Sequence, residues 1–199
     1  DLFWREEIGE SVVAGHYGRL LATSHQAGER KRALAALGEL ETPAVLPAVE
    51  ASFREDPDPA VRAQALKVLT RRLHGAPLLE IILKGIQDPS KKVRSEVVPI
   101  LSKISPQELK LNREKLIPLL DNSMEDIRTP VATLLTPLYR DDSTALTDEL
   151  LGTSRKNRVL GLIETLGRIG DPSSAGLFSR FFESRETEVR EAAVYWAQE

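Results

Sequence analysis

The sequence has no cysteine, few aromatic residues and no large excess of either charge. Without cysteine there is no disulfide bond, thiolate zinc site or cysteine nucleophile. Aromatic residues are 5% of the chain and the net charge is -3, whereas proteins that depend on phosphate contacts are usually clearly basic. No apolar run approaches the roughly 18 residues of a membrane span, and no signal peptide is recognisable. These absences disfavour membrane insertion and nucleic-acid binding, and they fit a cytoplasmic location.

Residues suited to catalysis or metal binding are also scarce. The sequence has no G-x-S-x-G, G-x-x-x-x-G-K-[ST], G-x-G-x-x-G or H-E-x-x-H motif. Its three histidines are His16, His25 and His74; the first two would lie on opposite sides of a helix, and the third is remote in sequence. We therefore predict that the chain is not an enzyme and that it binds no metal or other cofactor.

An internal repeat is the main positive feature. Val61 and Arg62 are followed by apolar residues at helical spacing, and the same pattern returns five more times. The equivalent positions, called the arginine column below, are Arg30, Arg62, Arg94, Arg128, Val159 and Arg190. At the fifth position Arg158 stands one residue before the column. The column steps average about 32 residues, which is a typical length for a helix-pair repeat.

A short polar residue stands six positions before each member of the column. These turn residues are Ser24, Asp56, Asp88, Asn122, Thr153 and Ser184. Side chains of this type bind the amides of turns and helix starts, and Asp-Pro pairs such as Asp58-Pro59 and Asp171-Pro172 suit a first helical turn. An apolar segment precedes each turn. The predicted unit is therefore helix, polar turn, helix, and neighbouring units must stack to bury their apolar faces.

The residues from Leu166 to Pro172, followed by Val189 to Ala193, resemble HEAT repeats, in particular the short bacterial HEAT-like repeats found in phycobilisome lyases. Leu37-Gly38 and the stretch from Asp56 to Arg62 are similar to the same motif. The resemblance extends over roughly residues 5–199. It implies an all-α fold, an α-α superhelix in the form of a right-handed solenoid of about six helix pairs. It also implies that the second helix of each pair lines the concave face.

Some residues depart from that pattern. Pro99, Pro130 and Pro137 lie within second helices, so we expect the third and fourth copies to be irregular. The link from Ile104 to Leu116 is long enough to hold an extra turn. We interpret residues 1–199 as one repeat domain. Because it starts at Asp1 without an initiator Met and ends inside a predicted helix, we expect it to be a piece of a longer protein.

The arginine column allows two interpretations. In one it captures acidic groups of a ligand. In the other it is a structural ladder, made by Arg30, Arg62, Arg94, Arg128 and Arg190, in which each guanidinium binds turn acids such as Asp56 or Asp88 and joins adjacent repeats. We favour the ladder, because a role repeated in every copy is more often architectural.

The concave face is the predicted binding surface. Positions two, five and nine after the column should face it. Allowing a residue of slack, they give Lys31, Arg32, Lys67, Arg71, Lys103, Glu164, Arg168, Glu191 and Tyr195. Arg71, Lys103 and Arg168 occupy one equivalent position and could form a basic stripe for an acidic peptide or a phosphate backbone, together with Lys67 and Arg32. The alternative is an ordinary solvated face.

The aromatic residues at the two ends have a separate interpretation. Leu2, Phe3 and Trp4 begin the chain, and Tyr195 and Trp196 stand near its end. We predict that they pack on neighbouring repeats or domains, and the alternative is an anchor for a partner.

These observations predict a protein-interaction scaffold that binds a protein or peptide partner. One alternative is a nucleic-acid-binding protein of the alkylpurine DNA glycosylase kind, and another is a subunit similar to the phycobilisome lyases. A cytosolic segment of a larger protein is compatible with the leading hypothesis.

Overall fold

The computed structural model describes residues 9–199, and all regular structure in this range is helical. It contains thirteen α-helices, numbered here from α1, and four 3-10 helices. The first seven α-helices are α1 (Glu10–Thr23), α2 (Ala27–Gly38), α3 (Leu46–Glu55), α4 (Pro59–Arg72), α5 (Gly75–Ile86), α6 (Lys91–Ser95) and α7 (Pro106–Leu111). They are followed by α8 (Arg113–Leu116), α9 (Glu125–Tyr139), α10 (Thr144–Gly152), α11 (Lys156–Ile169), α12 (Pro172–Phe178) and α13 (Thr187–Gln198). The predicted all-α, HEAT-like repeat fold is confirmed.

The 3-10 helices are Pro43–Val45, Val98–Lys103, Ile117–Asp121 and Ser179–Phe181. Three of them extend or replace a first helix: Pro43–Val45 leads into α3, Ile117–Asp121 follows α8, and Ser179–Phe181 follows α12. The interpretation of Leu2, Phe3 and Trp4 lies outside the described residues. None of the helices in residues 9–199 is both long and apolar enough to span a membrane.

The contacts divide the chain into two compact units, residues 1–100 and 101–199. In unit 1 the pairs are α1 with α2, α3 with α4, and α5 with α6, and the second helices α2, α4 and α6 pack on one another in sequence. In unit 2 the second helices α9, α11 and α13 pack in the same serial way. There α10 pairs with α11, α12 pairs with α13, and the 3-10 helix Ile117–Asp121 packs on α9.

Each second helix buries the face that the apolar spacing predicts. In α4, Val61, Ala65 and Leu69 are fully buried, because residues three and four apart lie on one side of a helix. In α11, Leu162, Ile163 and Leu166 are equally inaccessible. Burying such side chains contributes about 1.5–3 kcal/mol each, so stacking of these faces is the main stabilising interaction of both units.

Two of the Asp-Pro pairs start helices as predicted. The carboxylate of Asp58 accepts the amide of Ala60 at 2.7 Å at the start of α4, and Asp171 accepts the amide of Ser173 at 2.9 Å at the start of α12. In both helices proline occupies the first position, where its missing N–H costs nothing. Asp56 and Asp88, which also precede prolines, lie in the turns instead.

The prolines of the middle copies have different effects. In copy three the second helix, α6, ends at Ser95. The following segment Val98–Lys103, which contains Pro99, is a 3-10 helix. The residue before a proline disfavours α geometry, so the predicted irregularity is present here. In copy four the second helix, α9, continues through Pro130 and Pro137 as one helix of 15 residues. Its packing against α11 outweighs the local preference, so neither proline interrupts this helix.

The long link between copies three and four contains the predicted extra turn. It is α7, which starts with a capping box: the Ser105 hydroxyl accepts the Glu108 amide at 3.3 Å, and the Glu108 carboxylate accepts the Ser105 amide at 3.2 Å. Leu109 is buried, whereas Leu111 at the end of α7 is 81% exposed.

Candidate functional site

The six turn residues adopt one common local geometry. In each, the side-chain oxygen accepts a hydrogen bond from the backbone amide two residues further along the chain. The distances are 3.2 Å for Ser24, 2.9 Å for Asp56, 2.8 Å for Asp88, 2.9 Å for Asn122, 3.3 Å for Thr153 and 3.3 Å for Ser184. Serine, threonine, asparagine and aspartate can all supply this acceptor, which explains why the position varies among these four types.

The column arginines bind the same turns from the other side. In all five, the Nη1 atom donates to the backbone carbonyl of the turn residue six positions earlier. The distances are 3.0 Å for Arg30, 2.8 Å for Arg62, 2.8 Å for Arg94, 2.9 Å for Arg128 and 2.6 Å for Arg190. We call this interaction the arginine clasp. It joins the start of a second helix to the turn that precedes it, within one helix pair.

In unit 1 the rest of the guanidinium joins one helix pair to the next. Arg30 donates from Nε and Nη2 to the carboxylate of Asp56 at 2.6 and 2.8 Å. Arg62 donates from the same two atoms to Asp88 at 2.8 and 2.9 Å. Both acids are turn residues of the following copy. The side chains are 11% and 6% exposed in the first pair and 12% and 7% exposed in the second, so these are bidentate, largely buried ion pairs.

The ion pairs perturb the titration of their members. Burial raises the pKa of Asp88, but hydrogen bonds from Arg62 and Ser90 and the charges of Arg62 and Arg94 outweigh it, so the pKa lies below its usual value. The hydrogen bonds that Arg30 donates to Asp56 raise the pKa of Arg30. Asp88 and Arg30 therefore stay charged throughout the neutral range.

Copy five has no arginine at the column position. Val159 occupies the column position and is buried, and Arg158 beside it points to other acids. Arg158 donates from Nε and Nη2 to Asp121 at 3.0 and 2.7 Å and from Nη1 to Glu149 at 2.6 Å. Asp121 immediately precedes the turn residue of copy four. Arg158 thus joins copy five to copy four, which precedes it. Arg30 and Arg62 instead bind the copy that follows them.

Two predicted binding residues of unit 1 have exposed side chains without a partner in the described range. Arg32 on α2 and Arg71 on α4 are exposed, and neither makes a hydrogen bond or ion pair within residues 9–199. Lys67, one turn before Arg71, forms an ion pair with Glu96 at 2.9 Å, and its side chain is still 47% exposed. Such exposed pairs contribute little to stability, so Lys67 is also available to a ligand.

The predicted binding residues of unit 2 have different surroundings. Lys103 is exposed at the end of the 3-10 helix Val98–Lys103. Arg168 donates to Glu164 at 2.9 Å and lies over the ring of Trp196, 5.7 Å from its centroid. Glu164 also accepts the hydroxyl of Thr129 at 3.1 Å. Arg168 therefore belongs to a packed cluster on α9, α11 and α13.

Trp196 packs within unit 2, and Gly167 makes this possible. A Cβ atom on Gly167 would overlap the Trp196 ring, so only glycine lets the indole rest on the backbone of α11. The ring meets that of Tyr195 edge to face, with centroids 5.0 Å apart. Tyr195 itself remains 54% exposed.

Arg72 is a structural residue that the sequence pattern missed. Its guanidinium donates to three backbone carbonyls of the preceding copy: Leu40, Glu41 at 2.7 Å and Thr42 at 3.3 Å. Glu10 completes this junction by accepting the amides of Glu41 and Thr42 at 3.3 and 3.2 Å. Backbone partners carry no signature in the sequence, so only the position of Arg72 in the last turn of α4 could have indicated it.

A metal centre finds no support in the described part of the chain. Within residues 9–199 no three histidine, aspartate or glutamate side chains are grouped so that they could hold a metal ion. His16 instead contacts the ring of Tyr17 edge to face, with centroids 5.2 Å apart.

The comparison with protein families agrees with this geometry. A family model described as HEAT repeats matches residues 51–135. The matched stretch contains the arginine clasps of Arg62, Arg94 and Arg128, together with the ion pair between Arg62 and Asp88. It supports HEAT repeats in general and does not identify the phycobilisome-lyase subtype. A search of the curated proteins found no match.

Proposed function

We propose that this chain is a protein-interaction module that binds an acidic segment of a partner protein on the exposed faces of α2 and α4. HEAT repeats are commonly protein-interaction scaffolds, because stacked helix pairs provide an extended continuous surface. The observation that carries the proposal is the pair Arg32 and Arg71. Both guanidinium groups are exposed and without a partner in the described structure, while the column arginines Arg30 and Arg62 beside them are used internally.

The position of these cations supports a common surface. Arg32 follows the column by two residues and Arg71 by nine, which places them at similar angles on helices that pack directly on each other. Lys67 lies one turn before Arg71 on the same face. The ion pair of Lys67 with Glu96 is exposed, so a partner carboxylate can replace Glu96 at small cost.

The charge of the chain favours a protein over a nucleic acid as the partner. The net charge of -3 opposes a long phosphate backbone, whereas a short acidic segment needs only a local group of cations. Arg168 is bound by Glu164 and covered by Trp196, which weakens the idea of a basic stripe that includes it. Its part in binding, like that of Lys103 and of a concave face, remains a prediction. The alternative of a subunit similar to the phycobilisome lyases has no specific support.

The proposal can be tested by charge reversal with a matched control. The test variant is R32E/R71E. The control is R19E/K84E, which reverses the same number of charges at exposed positions on the first helices α1 and α5. Proteins captured from an extract by the immobilised wild type are identified, and binding of each purified candidate to all three chains is measured by titration. We expect R32E/R71E to bind the partner about tenfold more weakly or worse, and the control to be unaffected.

Two results would overturn the proposal. One is a purified partner that binds R32E/R71E as tightly as the wild type. The other is tight binding of duplex DNA that weakens steeply with salt and is lost in R32E/R71E, which would favour the nucleic-acid alternative. All three chains should keep the same Tm, because none of the four side chains has a hydrogen-bond or ion-pair partner to lose within residues 9–199.

A further inference from the structure

We propose that Arg128 forms a carboxylate-binding site in unit 2, in which its Nε–H and Nη2–H receive an external carboxylate. The site is separate from Arg32 and Arg71 and does not depend on the proposed function. The ligand class is a carboxylate, carried either by a small organic acid or by an acidic side chain of another protein.

The first argument is the orphaned donor of Arg128. The residue is 9% exposed, and its Nη1 is satisfied by the carbonyls of Asn122 and Ser123 at 2.9 and 2.8 Å. Its Nε is buried and has no hydrogen-bond partner among residues 9–199. Leaving such a charged donor unpaired is unfavourable, and an arriving carboxylate would recover this cost.

The second argument is the repeat itself, which shows what such an arginine binds. Arg30 and Arg62 make the same clasp with Nη1 and use Nε and Nη2 to hold the turn aspartate of the next copy. The turn residue that follows Arg128 in this register is Thr153. Its hydroxyl accepts the amide of Arg155 at 3.3 Å, so the turn is preserved but the carboxylate is missing.

Two acidic groups of unit 2 are bound by other cations. The charge of Arg128 reaches Glu188, but the carboxylate of Glu188 is bound by Lys156, and its side chain is 60% exposed. The pKa of Glu188 is lowered first by the hydrogen bond from Lys156 and only secondarily by the charge of Arg128. Asp121 is held by Arg158 and Arg155. Arg128 is therefore prepared for a carboxylate that the described part of the chain does not supply.

The experiment observes the donor directly. Arginine side-chain ¹H–¹⁵N spectra are recorded while sodium acetate replaces sodium chloride at constant ionic strength near neutral pH. The Nε–Hε signal of Arg128 is identified by its loss in Arg128→Lys. We expect this signal to shift saturably with acetate. In Thr153→Asp the signal should already be displaced and should not respond, because the new turn carboxylate occupies the site.

A stability measurement accompanies the spectra. Thr153→Asp should raise Tm by several degrees over the wild type, whereas Thr153→Asn, with a similar shape and no charge, should not. The blocked peptide acetyl-Gly-Asp-Gly-amide then replaces acetate, with its Asn analogue as the control. Tighter binding of the Asp peptide than of acetate identifies a protein side chain as the ligand, and tighter binding of acetate identifies a small acid.

The inference is overturned if the Arg128 signal responds to neither acetate nor the Asp peptide. It is also overturned if Thr153→Asp is no more stable than Thr153→Asn. Both results concern unit 2 alone, so they would leave the proposal for Arg32 and Arg71 unaffected.

Discussion

Arg62 binds Asp88 through Nε and Nη2, at 2.8 and 2.9 Å, while its Nη1 binds the backbone carbonyl of Asp56 at 2.8 Å. One guanidinium therefore connects its own turn with the turn of the next copy, and both contacts are largely shielded from water. Planar geometry with five donors makes arginine suited to this double role, which lysine cannot perform.

We expect Asp88→Ala to destabilise the chain by about 3 kcal/mol, because it leaves the buried charge of Arg62 without its acid. The matched control is Glu50→Ala, which breaks the exposed ion pair with Arg54 one turn later in α3 and should cost less than about 0.5 kcal/mol. Urea unfolding of both variants measures the difference. Equal costs would show that the Arg62–Asp88 pair contributes no more than a surface pair.

The same pair should make the stability depend on pH. The pKa of Asp88 in the folded chain lies below its usual value of 3.8, so its contribution is complete above that value. The contribution is lost as the pH falls through the lowered folded-state pKa. We expect the wild type to lose more stability than Asp88→Asn between about pH 5 and pH 2, as measured by Tm at each pH. Parallel curves for the two proteins would contradict this assignment.

Neighbouring arginines of α4 should behave in opposite ways. Arg72 holds three carbonyls of the preceding copy, whereas Arg71 is exposed and makes no hydrogen bond or ion pair in the described range. We expect Arg72→Ala to cost about 1.5–3 kcal/mol and Arg71→Ala to cost less than about 0.5 kcal/mol. Chemical denaturation gives both values. The prediction fails if the two substitutions have the same effect.

The indole of Trp196 should report on Gly167. In a Trp4→Phe background Trp196 is the only tryptophan, so its emission can be read alone. We expect Gly167→Ala to displace the ring, shift its emission to longer wavelength and lower the stability by about 1–3 kcal/mol. Gly176→Ala is the control, because its new methyl group meets no atom of residues 9–199 within 4 Å; it should leave the emission unchanged.

The features that could be predicted from the sequence are those that depend on local spacing. The clasp joins residues six apart and the turn joins residues two apart, so most copies repeat the same types of residue at the same spacing. Apolar residues three and four apart similarly indicate the buried faces. These short-range relationships predicted the helix pairs.

The remaining features depend on partners that are distant in sequence. Arg158 binds Asp121, 37 residues away, and no repeat register indicates that it would bind backwards along the chain. Arg168 has the spacing of an exposed binding residue, yet Trp196 lies against it because Gly167 leaves room. Pro99 and Pro130 have the same local preferences, and only the packing of α9 on α11 explains why a helix continues through the second.

Because Arg62 binds its own turn through Nη1 and the next turn through Nε and Nη2, the helix pair can be duplicated as a unit. A tandem duplication of residues 57–88 would place a second copy of the segment after Asp88. Asp88 would then precede the second copy as Asp56 precedes the first. Each arginine in the longer array would then find its own turn behind it and an aspartate ahead of it. Arrays of this kind can lengthen by whole units without any compensating mutation, as long as the duplicated segment ends in aspartate.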